Sequence, residues 1–83
     1  MDEVTLDEVI EMLQGVREDV DYATITTLVT DRYIDSFDIL AIISAIDDEF
    51  DIAVPAKEIL PVNFNSAEAL TAMINKLAAS QQI

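Results

Sequence analysis

The chain has 83 residues, of which 52% are hydrophobic, so we expect a single domain, 1–83, with an ordered core over about residues 5–78. Its 17 acidic and four basic residues give a formal net charge of −13, which argues against binding to nucleic acid or to an anionic membrane and favours basic protein partners. Histidine and cysteine are both absent, which excludes Ser-His and Cys-His catalytic pairs and the usual zinc ligands, so we expect neither enzyme activity nor a metal site.

The first predicted helix begins after Thr5, which forms a capping box with Glu8. Apolar residues recur at helical spacing behind this cap, and the single glycine, Gly15, is expected to end the helix as a left-handed C-cap. The apolar stripe consists of Leu6, Val9, Ile10, Leu13 and Val16.

Residues 16–35 have no sustained periodicity, and they include a run rich in β-branched residues, Thr24–Thr30. That run could form a strand locally, but no second strand is available to pair with it. We therefore expect a long ordered loop, and loops of this length are often functional. Four apolar side chains are expected to attach the loop to the core: Val20, Ile25, Leu28 and Val29.

Three further helices are predicted in the remaining sequence. The second helix runs from about Ser36 to Phe50, and a short third helix is expected over Pro55–Leu60, because proline suits the first turn of a helix. The segment from Pro61 connects to a final helix, where Asn65 and Glu68 form a capping pair. The apolar stripe of that helix is Leu70, Met73, Ile74 and Leu77.

These elements predict an all-α fold, a small four-helix bundle with a short third helix and a long loop between helices 1 and 2. The tail from Ala78 onward is expected to fray. Stable membrane insertion is not expected, since no apolar run approaches the roughly 20 residues of a membrane span. The acidic start, Met1–Glu3, is the reverse of a signal peptide, so we expect a cytoplasmic protein.

A helical wheel separates the second predicted helix into two faces. Phe37 lies opposite the buried face, where it either packs under the long loop or acts as an anchor in a docking surface for a partner. The predicted buried face consists of Ile39, Ile42, Ile43, Ile46 and Phe50. Ala41, Ser44 and Asp48 share the outer face with Phe37, and Asp38, Leu40 and Asp47 flank it.

Ser36 could be a helix cap, a nucleophile or an attachment point. Either Asp35 or Ser36 could be the N-cap, a role that is typically worth ~1 kcal/mol. Asp35 already supplies a cap, and Asp38 lies three residues later as in a capping box, so a second cap is redundant. A helix N-terminus also suits a phosphate ester. Because no base accompanies it, Ser36 is expected to be modified by another protein rather than to catalyse a reaction itself.

Four acidic residues have the spacing of a calcium-binding loop. They occupy its positions 1, 3, 5 and 12, but position 6, which requires glycine for a sharp turn, is Ile52. The apolar periodicity also carries the helix through Phe50, so we reject an EF-hand. The four residues are Asp47, Glu49, Asp51 and Glu58.

The segments "DSFDIL" (Asp35–Leu40) and "AIDDEFDIAVP" (Ala45–Pro55) resemble the acyl carrier protein family. The family signature is Asp-Ser-Leu at the start of the second helix, followed by an apolar helix that ends in an acidic cluster, Phe and a short apolar stretch up to Pro. The order of the predicted elements, the length and the acidity also fit, so the resemblance covers essentially the whole chain.

The resemblance implies that a phosphopantetheinyl transferase moves 4′-phosphopantetheine from coenzyme A onto Ser36. Acyl groups would then travel as thioesters on the thiol of this arm, loaded by an acyl- or aminoacyl-loading ligase and passed to downstream synthase or transferase enzymes with basic docking surfaces. We expect a freestanding monomer. The partner-binding residues are predicted to be Asp35, Phe37, Asp38, Leu40, Ala41, Ser44, Asp47 and Asp48.

The sequence also departs from the family pattern. Tyr33 and Phe37 stand where many members have Gly and Leu, and Ala41 and Ser44 lie where fatty-acid carriers often have Glu and a bulky apolar residue. These differences argue against docking to the fatty-acid synthase. The segments "IDSFDIL" (Ile34–Leu40) and "NFNSAEAL" (Asn63–Leu70) resemble discrete carriers of specialised pathways, such as polyketide, modified-lipid or aminoacyl systems, rather than those of housekeeping fatty-acid synthesis. The alternatives are an aminoacyl or D-alanyl-type carrier, or an unmodified acidic helical adaptor that only binds protein partners.

Overall fold

The computed structural model describes residues 3–81, and this part of the chain contains helices and turns but no strand. The predicted all-α fold of four helices with a long first loop is confirmed. None of the described helices is long and apolar enough to cross a membrane. The structure does not describe Met1, Asp2, Gln82 and Ile83. The first two residues of the predicted acidic start therefore lie outside the described part of the chain. The helices are α1 (Leu6–Val16), α2 (Ser36–Phe50), α3 (Pro61–Phe64) and α4 (Ala67–Gln81).

Helix α1 begins as the sequence predicts but ends differently. The Thr5 hydroxyl accepts a hydrogen bond from the Glu8 amide at 3.2 Å, and the Glu8 carboxylate accepts one from the Thr5 amide at 3.0 Å. The prediction that Gly15 is a left-handed C-cap is wrong, because the helix continues through Val16. The chain leaves α1 at Arg17, which has extended backbone and donates its amide to the Leu13 carbonyl at 2.9 Å, so no left-handed residue is needed.

The long loop between α1 and α2 is held to the rest of the molecule by apolar side chains, as predicted. Val20 and Leu28 are buried, and Ile25 and Val29 pack partly buried against the core. The sequence did not predict the burial of Tyr22 and Ile34, which is almost complete. The Thr24–Thr30 segment consists of turns and bends rather than a strand.

The core lies between α1 and its neighbours, since α1 contacts both α2 and α4, while α3 contacts α4. Leu6, predicted on the α1 stripe, is 38% exposed in the first turn of its helix, whereas Met12 is buried. The predicted stripe of α4 is buried throughout. The buried residues are Val9, Met12, Leu13, Val20, Tyr22, Leu28, Ile34, Ile42, Ile46, Ile52, Phe64, Ala67, Leu70, Met73, Ile74 and Leu77.

The short third helix is not where the sequence placed it. Only a single 3-10 turn, Ala56–Glu58, forms within Pro55–Leu60, and the α-helix begins at Pro61, predicted as part of a connection. Proline suits this first helical position because the N–H that it lacks has no partner inside a helix.

The predicted cap of the last helix is also wrong. The Ser66 hydroxyl, rather than the Asn65 side chain, accepts the hydrogen bond from the Ala69 amide, at 3.0 Å. Asn65 instead reaches the long loop, where its Oδ1 accepts from the amides of Val29 at 2.9 Å and Thr30 at 3.0 Å. At its other end α4 continues through Gln81, so the described part of the tail is helical.

Replacing Gly15 with alanine tests the corrected end of α1. We expect Gly15→Ala to raise the free energy of unfolding by about 0.5–1 kcal/mol, because alanine is the better helix former. An added Cβ meets nothing within 4 Å. Urea unfolding followed by circular dichroism measures the change, and Gln14→Ala, at an exposed neighbouring position, should change stability little. If Gly15 had a left-handed backbone, the substitution would instead lower the free energy of unfolding, because alanine is strained in that conformation.

Candidate functional site

The start of α2 is capped by two aspartates. Asp35 is the N-cap, and its Oδ1 accepts a hydrogen bond from the Asp38 amide at 2.9 Å. In return, Asp38 Oδ2 accepts one from the Asp35 amide at 3.0 Å, which completes a capping box. Of the two candidate caps in the sequence, Asp35 therefore has this role, and Ser36 is the first residue of the helix.

Ser36 is exposed, and its hydroxyl has no hydrogen-bond partner among the residues that the structure describes. The first-turn amides of a helix have no carbonyl partner within it, and the Asp35 carboxylate serves only that of Asp38 here. The hydroxyl is thus accessible beside backbone donors and the positive end of the helix dipole. This setting fits a phosphate ester on Ser36.

Asp38 also connects α2 to the end of α1. Arg17 Nη1 lies 2.9 Å from Asp38 Oδ2, and Arg17 Nε lies 3.1 Å from Asp19 Oδ1. Burial acts to raise the pKa of Asp38, but hydrogen bonds from the Asp35 amide and from Arg17, together with the positive charge of Arg17, bring it below its ordinary value. The capping carboxylate is therefore ionised at neutral pH.

Tyr22 forms a hydrogen bond with Arg17, the residue that pairs with Asp38. Its buried hydroxyl donates a hydrogen bond to the Arg17 carbonyl at 2.7 Å. Burial, and the negative charges of Asp38 and Asp19, raise the pKa of Tyr22, so the hydroxyl stays protonated and remains a donor. The sequence analysis missed both Arg17 and Tyr22, because their partners depend on how the loop folds back on α1.

The outer surface of α2 is exposed as the helical wheel predicts. Phe37 is 80% exposed and Leu40 is 62% exposed, so Phe37 does not pack under the loop. Asp38 alone among the eight predicted partner-binding residues is half-buried, with 19% of its side chain exposed, because it pairs with Arg17. We use "outer surface of α2" for the exposed residues Phe37, Leu40, Ala41, Ser44, Asp47 and Asp48.

The predicted buried face of α2 is confirmed in part. Ile42 and Ile46 are fully buried, whereas Ile39, Ile43 and Phe50 are half-buried and pack against the core from its edge. The helix therefore separates the core from the outer surface. Other large apolar side chains are exposed that the sequence did not single out, and these are Tyr33, Ile59, Leu60 and Val62.

A surface pocket of about 410 Å³ opens beside Ser36. Its lining includes three apolar residues together with charged and polar ones. The sequence analysis did not predict this pocket, since its walls come from both the long loop and the start of α2. The lining residues are Val29, Arg32, Ile34, Asp35, Ser36 and Ile39.

The acidic residues with calcium-loop spacing do not converge. Asp51 ends α2 as a left-handed residue with φ of 56°, where an EF-hand would have loop rather than helix end. Among residues 3–81, no group of three or more Asp or Glu side chains is arranged to hold a metal ion.

Comparison with protein-family models, with curated proteins and with solved structures gave no match.

Removing the charge of Asp38 tests the connection between α1 and α2. We expect Asp38→Asn to lower the free energy of unfolding at neutral pH by about 1 kcal/mol, the typical value of a capping interaction. Because folding lowers the pKa of Asp38, its contribution is present above the ordinary aspartate value of ~3.9 and is lost as the pH falls through the lower folded value.

The difference between wild type and Asp38→Asn should therefore disappear at acid pH, and urea unfolding at neutral and at acid pH measures it. Asp48→Asn is the matched control, since Asp48 lies exposed on the same helix. A destabilisation that persisted unchanged below the folded pKa would show that ionisation of Asp38 does not matter.

Proposed function

We propose that this chain is a carrier protein of the acyl carrier type, in which 4′-phosphopantetheine is attached to Ser36. The observation that carries the proposal is the exposed Ser36 hydroxyl at the first turn of α2, released from capping by the Asp35–Asp38 pair. A serine with a structural role at this position would be the cap itself. The resemblance of Asp35–Leu40 to the carrier signature agrees with this reading.

The chain supplies an acceptor for the transfer, and the partner must supply the catalysis. The Ser36 oxygen forms the new bond to phosphorus, the pyrophosphate P–O bond of coenzyme A breaks, and adenosine 3′,5′-bisphosphate leaves. The serine proton passes to a base of the transferase, because the chain has no histidine. When attached, the arm supplies the thiol that the chain lacks and holds acyl or aminoacyl groups as thioesters.

Partner enzymes would dock on the outer surface of α2. Phe37 and Leu40 offer apolar contact, and Asp47 and Asp48 offer negative charge to a basic surface. Asp38 has a smaller part in this attraction than the sequence suggests, because Arg17 already offsets its charge. The net charge of −13 would steer basic partners toward the domain.

The partners in this proposal are a phosphopantetheinyl transferase, a loading ligase and a downstream synthase or transferase. The departures from the family pattern argue against fatty-acid synthase as the partner, and the resemblance of Ile34–Leu40 and Asn63–Leu70 to specialised carriers supports a specialised pathway, with an aminoacyl or D-alanyl-type carrier as the alternative. We place the protein in the cytoplasm as a monomer. The second candidate, an unmodified acidic adaptor, is favoured by the same exposed Phe37 and needs no modification of Ser36.

Intact mass separates the two candidates. Incubation of the wild type with coenzyme A and a promiscuous phosphopantetheinyl transferase should add the mass of one phosphopantetheine. Ser36→Ala should remain unmodified while keeping its helical circular-dichroism spectrum, since Asp35 rather than Ser36 caps α2. Ser44→Ala, which removes another exposed hydroxyl of the same helix, should be modified like the wild type. An unmodified wild type would favour the adaptor.

Truncation of Phe37 tests the docking surface. We expect Phe37→Ala to lower the rate of modification about tenfold, the effect of losing ~1.4 kcal/mol at an interface anchor. Its stability should change little, because the side chain is 80% exposed. Val62→Ala, at a site that is 67% exposed on α3, is the matched control and should leave the rate unchanged. Equal rates for both variants would exclude Phe37 from the docking surface.

A further inference from the structure

The four basic side chains differ in whether they form an ion pair. Arg17 pairs with Asp19 and Asp38, and Lys76 pairs with Glu58 at 3.1 Å. For Arg32 and Lys57, no ion pair is found within the described residues 3–81. The Arg32 side chain is exposed, so its guanidinium is accessible to an anionic group from outside the chain.

Arg32 lines the pocket beside Ser36, and its backbone is unusual. Its φ of 62° lies in the left-handed region, which residues other than glycine rarely adopt. The turn is held by hydrogen bonds from the Arg32 amide to the Val29 carbonyl at 3.1 Å and from the Ile34 amide to the Leu28 carbonyl at 3.0 Å. The loop thus maintains a strained residue at the edge of the pocket, as is common at functional sites.

The lining of the pocket combines apolar and polar residues. Val29, Ile34 and Ile39 supply its apolar part, which we call the apolar wall, and Arg32, Asp35 and Ser36 supply its polar part. The volume of about 410 Å³ falls within the range of pockets that hold small molecules. This lining suits an occupant that carries both a negative charge and apolar groups.

We infer that this pocket holds the inner end of the arm attached to Ser36, with the Arg32 guanidinium bound to its phosphodiester and the apolar wall in contact with its dimethyl group. This inference rests on the proposed function. The phosphodiester keeps its negative charge close to the Asp35 carboxylate, and a cation beside it reduces the repulsion between the two. Arginine is suited to this role because its planar guanidinium donates paired hydrogen bonds to phosphate oxygens.

The apolar wall explains why the arm would lie in the pocket rather than extend into solvent. The two methyl groups of the arm are separated from phosphorus by only an oxygen and two carbons, so they fall beside the residues that surround Ser36. Burying apolar surface is favourable because it removes that surface from water. Arg32 is therefore a positioning residue, which sets the direction in which the arm leaves the helix.

Nuclear magnetic resonance of the modified protein tests the inference. Wild type, Arg32→Gln and the control Lys57→Gln are modified with coenzyme A and a transferase, and modification is confirmed by intact mass. Lys57 is exposed on the 3-10 turn and does not line the pocket, so both variants lose one positive charge but only one changes the site. We expect nuclear Overhauser contacts from the arm methyl groups to Val29 or Ile39 in the wild type.

The phosphorus resonance should shift in Arg32→Gln, with loss of those contacts, and stay unchanged in Lys57→Gln. Absence of contacts in the modified wild type overturns the inference, even if the transferase fails to modify Arg32→Gln. A phosphorus resonance common to wild type and Arg32→Gln overturns the role of Arg32. These results differ from failure of the proposed function, in which the wild type gains no mass.

Discussion

The carboxylate of Asp38 is the group on which the rest of the site depends. It accepts hydrogen bonds from the Asp35 amide at 3.0 Å and from Arg17 at 2.9 Å, so a single side chain completes the capping box of α2 and attaches the helix to the end of α1. Because two aspartates share the capping, the Ser36 hydroxyl is left exposed. The same arrangement fixes where Ser36 lies relative to the long loop, and hence which loop residues surround it.

Helix α2 presents different side chains to the core, to the pocket and to solvent. Ile42 and Ile46 are fully buried in the core, Ile39 lines the pocket, and Phe37 and Leu40 face solvent. A helix can do this because its residues advance by 100° each, so neighbours in sequence point in different directions. Ser36, the pocket and the outer surface of α2 are thereby held in a fixed relation.

The sequence predicted those features that depend on neighbouring residues. The Thr5–Glu8 cap, the bounds of α2 and the exposure of Phe37 follow from local spacing. The errors arise where a partner lies far along the chain. Asn65 looks like a cap until its contacts with Val29 and Thr30 are known, and Asp38 looks like a free surface charge until Arg17 is placed beside it. Gly15 was misassigned because glycine permits a left-handed cap without requiring one.

The contacts of Asn65 have a consequence for how the molecule opens. The carbonyl of this residue accepts a hydrogen bond from the Leu28 amide, and its side chain accepts from the amides of Val29 and Thr30, across as many as 37 positions of sequence. The loop cannot detach from the α3–α4 junction without breaking all three bonds together. These three amide protons should therefore exchange with solvent at one common rate, as a single cooperative unit that reports the opening of the wall behind the pocket.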